Sequence, residues 1–248
     1  MDQNAVEVTE LTKAFGGVRA VENVSMKVPV GQRRALIGPN GAGKTTLFNC
    51  ITGTFPPTSG KVFLFGKDVT RLAENRRAAM GIGRTYQITN LFHDLTVLEN
   101  LILAVQGNSR QKWIMHRPVK AFSESLKRAA EELERVGLAQ RAHDSVHHLS
   151  YGERRQLELA LALASQPRVL FLDEPCSGLS PGERQRIAEI IREFPEDITL
   201  ILIEHDMKVA LGLADQVVVM HRGSIILEGT PDEVRANPEV REVYLGKV

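Results

Sequence analysis

Gly38-Pro39-Asn40-Gly41-Ala42-Gly43-Lys44-Thr45 sets glycines around one lysine and one hydroxyl at the spacing of a phosphate-binding loop. The segment follows the apolar run Arg34 to Ile37 and precedes a helix-like stretch, Thr45 to Ile51. Glycines let the backbone wrap so that successive N–H groups point inward, and the helix start adds positive potential where phosphate oxygens would sit. Lys44 is expected to reach the β- and γ-phosphates, Thr45 to ligate Mg²⁺, and Gly38, Pro39, Asn40, Gly41, Ala42, Gly43 and Thr46 to complete the cradle. A bare glycine turn would account for the glycines but not for Lys-Thr in this register. A second cluster, Val169-Leu170-Phe171-Leu172-Asp173-Glu174, carries two carboxylates at the end of an apolar strand, the edge at which open α/β sheets bind ligands. Two acids there need a cation. Asp173 would hold Mg²⁺, and Glu174 would orient or deprotonate an attacking water, or alternatively cap the next turn.

Such groups need a rigid sheet behind them. Short β-branched runs alternate with amphipathic stretches, the pattern of an α/β fold with helices over a parallel sheet. The buried parallel strands are expected at Arg34 to Ile37, Val169 to Leu172, Thr199 to Ile203 and Gln216 to Met220. Val6 to Leu11, Val24 to Val28 and Lys61 to Phe65 alternate with period two between Gly and Pro turns, which predicts an N-terminal antiparallel β portion. From Gly83 to Ala164 strand patterns nearly vanish. A helix is expected at Val119 to Val136, with Leu126, Ala129, Ala130, Leu133 and Val136 on its apolar stripe. Capping boxes at Ser150/Glu153, Ser180/Glu183 and Thr230/Glu233 mark helix starts, the last two followed by Pro181 and Pro231 at the first helical position.

Composition bounds the function classes. The chain has 248 residues, 43% hydrophobic and 25% charged, enough for one sizeable core. With 31 basic and 30 acidic residues the net charge is +1, which argues against nucleic acid as the main partner. Cys50 and Cys176 have neither zinc spacing nor a disulfide count, and fit a reducing cytoplasm. No apolar run approaches a bilayer span and the acidic start is unlike a signal peptide, so membrane attachment is expected through a partner. His143, His147 and His148 lack a completing carboxylate or thiol and are read as a solvated loop. Trp113 is read as a satellite core contact, and Cys176 as a small tolerated side chain.

Leu149-Ser150-Tyr151-Gly152-Glu153, upstream of the acidic strand, resembles the signature motif of ATP-binding cassette (ABC) proteins. The resemblance spans nearly the whole chain. It implies a RecA-like phosphate-loop ATPase core with an inserted helical subdomain: one domain over 1–248, with 1–86 and 166–248 as catalytic core and 87–165 as signature subdomain. It also implies Gln87 as a catalytic and Mg²⁺-touching glutamine, Ser177-Gly178-Leu179-Ser180 as the D-loop, His205 as the switch histidine at the γ-phosphate, and Phe15 as the adenine-stacking ring. In the family's geometry two cassettes pair head to tail, so Ser150 and Gly152 would close on ATP held by the opposing subunit. ATP and Mg²⁺ are the implied ligands. The implied partners are a second cassette, identical or paralogous, transmembrane permease subunits at the inner face of the cell membrane, and indirectly a solute-binding protein.

Gly83 to Phe92, Leu95 to Asn100, Glu228-Gly229-Thr230-Pro231 and Val240 to Gly246 are similar to the branched-chain amino-acid importer ATPases. A lipopolysaccharide-exporter ATPase shares much of this tail and stands as the alternative. Tyr151 and Glu153 depart from the commonest signature residues, and Ser180 stands where the D-loop usually has Asp, which bears on communication across the dimer. Soluble cassette ATPases acting on DNA or ribosomes usually carry two cassettes or a long coiled coil, both absent here. The guanine-reading Asn-Lys-x-Asp of GTPases is also missing. The transported solute cannot be read from this chain.

Overall fold

A computed structural model describes residues 4–85, 91–107 and 123–245. Along the chain the elements are β1 Asn4–Phe15, β2 Val18–Pro29, β3 Arg33–Ile37, α1 Lys44–Thr52, β4 Ser59–Leu64, β5 Lys67–Asp68, α2 Glu74–Ala78 and β6 Ile82–Arg84. There follow α3 Val97–Gly107, α4 Ser123–Arg135, α5 Tyr151–Ala164, β7 Val169–Asp173, α6 Pro181–Arg192, β8 Thr199–Ile203, α7 Met207–Leu213, β9 Gln216–His221, β10 Ser224–Gly229, α8 Pro231–Ala236 and α9 Pro238–Leu245. They group into two compact units: Met1–Arg84 with Arg168–Glu174 and Pro195–Val248, and Thr85–Pro167 with Pro175–Phe194.

The first unit holds two sheets. One has the order β2-β1-β4-β5 and is antiparallel; the other runs β10-β9-β3-β8-β7-β6, parallel except for β10. The antiparallel strands are longer than alternation suggests. β1 and β2 carry register shifts, and Glu10 and Asn23 take positive φ (48° and 50°), so each bulge breaks the period-two pattern while pairing resumes beyond it. One hydrophobic cluster joins residues of both sheets to Leu47, Phe48 and Ile51 of α1. Within it the Phe48 and Phe171 rings meet edge to face with centroids 5.0 Å apart, a contact worth about 1 kcal/mol beyond their burial. The C-terminal end of α1 is tied by the buried Arg77, whose Nη1 donates to the carbonyls of Cys50 (2.8 Å) and Ile51 (2.6 Å). A cation there complements the negative end of the helix. The expected parallel strands are present, and β6 and β10 are additional; Ile82-Gly83-Arg84 is too short to announce itself as a strand.

The second unit is helical. Ala129 and Leu133 of α4 are buried with Val136, Leu101 and Val105 of α3, and Leu157, Ala160 and Leu163 of α5. The expected stripe on α4 is narrower than its spacing suggests: Leu126 is half-buried and Ala130 is exposed. Residues 119–122 of that predicted helix lie outside the described residues. All three capping boxes form, at Ser150 for α5, Ser180 for α6 and Thr230 for α8.

Candidate functional site

Strand register assembles the site. Ile203 of β8 pairs with Leu36 of β3 on one side and Asp173 of β7 on the other. The C-terminal ends of three parallel strands therefore stand side by side, and the loop after β3, Glu174 after β7, and Glu204-His205 after β8 emerge on one edge. That edge borders an open cleft of about 320 Å³, lined by Ala20, Asn40 through Thr46, Glu174 and His205, at the small end of the range of ligand pockets.

The loop's tight wrap depends on glycine. Gly38 and Gly43 have φ of 151° and 99°, and a Cβ would come within 2.2 Å of the Met220 carbonyl oxygen at Gly38 and 2.3 Å of the Ala20 carbonyl oxygen at Gly43. Gly43 is also the N-cap of α1, which has no side-chain cap and no acid in its first turn. The helix thus presents its first N–H groups unblocked by any carboxylate, the condition for an anion site. Lys44 bends back so that Nζ donates to the carbonyls of Gly38 (2.7 Å) and Pro39 (3.0 Å). Burial holds its pKa below the ordinary lysine value, and the nearby charges of Glu174 and Asp173 oppose that shift.

Glu174 sits directly beyond β7 with φ of 51°, a strained conformation for a residue with a side chain, held by its N–H donating to the Ile203 carbonyl (2.9 Å). Its Oε1 is paired with His205 Nε2. Asp173 is almost wholly buried, and burial raises its pKa, opposed by Arg84, whose Nη2 lies 3.7 Å from Oδ2. Arg84 also donates to the hydroxyls of Thr52 (3.1 Å) and Thr54 (2.9 Å), tying the end of α1 to the acidic strand. The donor set suits a small hard cation. Carboxylate and hydroxyl oxygens from Asp173 and Thr45, beside substrate phosphate, are ligands that Mg²⁺ prefers.

The cleft brings together Asn40, Gly41, Ala42, Gly43, Lys44, Thr45, Thr46, Glu174 and His205 from the expected set, with Gly38 and Pro39 behind Lys44. Phe15 is not among the lining residues. It lies half exposed at the end of β1, edge to face with Phe55 (centroids 5.4 Å), with Lys13 Nζ 5.0 Å from its ring centroid. Ser150 and Gly152 belong to the other unit, at the start of α5. Gln87 lies outside the described residues, as does Trp113. Ala20 and Arg84 are not in the expected set; an alanine carries no chemical signal, whereas an Arg after the Ile-Gly pair of β6 is readable as a cation near a strand end.

Comparisons with known proteins agree with this geometry. The ABC transporter family model matches residues 21–177, and a model described as branched-chain amino acid ATP-binding cassette transporter matches 224–248. The high-affinity branched-chain amino acid transport ATP-binding protein LivG of Salmonella typhimurium is 41% identical with full coverage of both chains. BraF of Pseudomonas aeruginosa, of the same description, is 39% identical with full coverage of both chains. Among solved structures, the ADP conformation of an ATP-binding cassette of an ABC transporter superimposes with a TM-score of 0.85 at 31% identity over the whole of both chains. A dimeric cassette in a post-hydrolysis state with ADP and Pi gives 0.77 at 25% identity, over 91% of this chain and 98% of that one. A phosphate loop under an acid–histidine pair, on a fold shared with nucleotide-bound cassettes and in a sequence matched end to end, means that the chain belongs to the ABC transporter family as one of its ATPases, among the branched-chain amino acid transport ATP-binding proteins.

Proposed function

We propose that this chain is the ATP-hydrolysing subunit of an importer for branched-chain amino acids or related small polar solutes, bound to permease subunits at the cytoplasmic face of the membrane. The observation that carries the reading is the Glu174–His205 pair standing over the phosphate loop in a chain aligned end to end with LivG. Among the described residues no helix is long and apolar enough to cross a membrane, so a permease would supply the path.

Residues 1–86 and 166–248 would act as the catalytic core and 87–165 as the signature subdomain, with Pro175–Phe194 grouped in the fold with the latter. The loop amides and Lys44 bind the triphosphate, which draws Nζ from the Gly38 and Pro39 carbonyls to phosphate oxygens. Thr45, Asp173 and Gln87 would hold Mg²⁺, which when bound would supply positive charge to offset that of the phosphates. Phe15 stacks on adenine. Glu174 takes the proton of the attacking water on its second carboxylate oxygen while His205 holds the first. His205 Nε2 is engaged by Glu174, so a γ-phosphate contact from that nitrogen requires the pair to open. Ser150 and Gly152 close on the γ-phosphate of ATP held by a second cassette. Binding thereby assembles the dimer, and hydrolysis releases it.

Two measurements test this. Glu174→Gln should retain ATP binding and lose about 10²- to 10⁴-fold in turnover, the usual share of a general base; normal turnover removes Glu174 from that role. Cells lacking the chain should lose uptake of labelled leucine, regained with the wild type but not with E174Q. Unchanged uptake on deletion would refute the solute assignment.

A further inference from the structure

The start of α5 is already occupied by a carboxylate. Glu183, on the first turn of α6, uses Oε2 for its own capping box, accepting from Ser180 N–H (2.9 Å) and Ser180 Oγ–H (2.6 Å). The same carboxylate also faces the Gly152 backbone at the start of α5, which helps to lower its pKa. Its Oε1 lies so close that a Cβ on Gly152 would meet it at 2.5 Å. Tyr151 adds a second tie: its hydroxyl donates to the Ser177 carbonyl (3.3 Å), and its ring edge stands 3.3 Å from where a Cβ on Gly178 would be. The backbone that would meet phosphate is thus faced by an acid whose other oxygen caps the helix following the D-loop.

We infer that Glu183 is a gate on the signature helix: its carboxylate stands against Gly152 in place of phosphate, and it must leave when the opposing γ-phosphate arrives. This rests on the role proposed above for Ser150 and Gly152. Two anions cannot share one N–H at contact distance, so the carboxylate and the phosphate compete. Departure of Glu183 also removes Oε2 from the Ser180 box. Phosphate arrival at α5 therefore loosens the start of α6, where Ser180 stands in the D-loop. Glu183 touches no reacting atom and is a positioning residue. While it occupies Gly152, only the fraction of molecules with the gate open is competent, and apparent ATP affinity is reduced by that fraction.

The test is the ATP concentration for half-maximal hydrolysis by the assembled transporter. Glu183→Gln keeps a side chain that can cap α6 but removes the charge that competes with phosphate. Glu183→Asp keeps the charge but is one methylene too short to reach both helices. Both should lower the half-saturating ATP concentration by about three- to tenfold with kcat unchanged, as expected when a closed majority is released. Thermal unfolding identifies which variants are folded, and either one suffices. A purely structural role predicts the opposite, an unchanged or higher half-saturating concentration with reduced stability, and overturns the gate. Ser150→Arg, measured alongside, separates the two layers. If S150R hydrolyses ATP normally, the underlying role of the signature helix fails. If S150R is inactive and the Glu183 variants do not shift half-saturation downward, the gate alone fails.

Discussion

Two helix starts in this molecule suit anions, and they are built in opposite ways. α1 begins at a left-handed glycine with no side-chain cap and no acid in its first turn. α5 begins at a complete capping box, with Glu153 in its first turn and the Glu183 carboxylate against Gly152. Unsatisfied amides at a helix start are costly unless something fills them. At α1 the loop's own strand and Lys44 prepare a place for phosphate within the same chain. At α5 side chains close the start, so in the role proposed above phosphate would bind there only by exchange. The difference teaches that one end is a standing site and the other a conditional one, as a nucleotide-driven switch requires.

The largest effect that could break this contrast is at the standing site. Lys44→Ala removes a charged donor already aimed at the loop and should weaken ATP binding by about 10- to 100-fold, the scale of a hydrogen bond to a charged group. Calorimetric titration of the isolated chain measures it. Affinity within twofold of wild type would mean that the loop amides alone hold the triphosphate.

A smaller effect compares equal caps in different places. Ser150 and Thr230 make the same box, yet only Ser150 stands at the conditional site. Replacing either with Ala should cost about 1 kcal/mol of stability in urea unfolding. Ser150→Ala should also raise the half-saturating ATP concentration, whereas Thr230→Ala should leave it unchanged. Equal kinetic behaviour in the two variants would reduce the α5 box to a cap and nothing more.

These contrasts were only partly legible in the sequence. The phosphate loop, the acidic strand end and all three capping boxes could be read because each depends on local spacing, and the parallel strands because burial on both faces leaves an unbroken apolar run. Long-range placement could not be read. Nothing in the sequence says that Glu183, half of one capping box, also reaches Gly152, or that Glu174 adopts a left-handed φ to meet His205. The bulges at Glu10 and Asn23 hid the full length of β1 and β2 for a related reason: register shifts break periodicity locally while pairing resumes beyond them. Ala20 lines the cleft, and an alanine in a strand carries no chemical signal to announce it.

The finest distinction between the two kinds of helix start is electrostatic, and α8 isolates it from ATP. The Glu233 carboxylate accepts from Thr230 N–H (2.7 Å) and Oγ1–H (3.0 Å), and these bonds, the backbone one first, hold its pKa below the ordinary glutamate value. A carboxylate whose folded pKa is depressed stabilises the fold above its unfolded value, about 4.3, and that contribution disappears as pH falls through the lower folded value. Glu233→Gln keeps the box but cannot titrate. The stability difference between wild type and E233Q, from urea unfolding, should therefore be small and favour wild type at pH 6. It should close as pH drops below about 4.3, because protonated Glu233 then resembles the amide. A gap that stays constant into acid would assign the box's effect to shape alone. α1 has no acid at its start to contribute such a slope, so its preference for phosphate is set by backbone and lysine, and the acid-sensitive starts are those that side-chain carboxylates close.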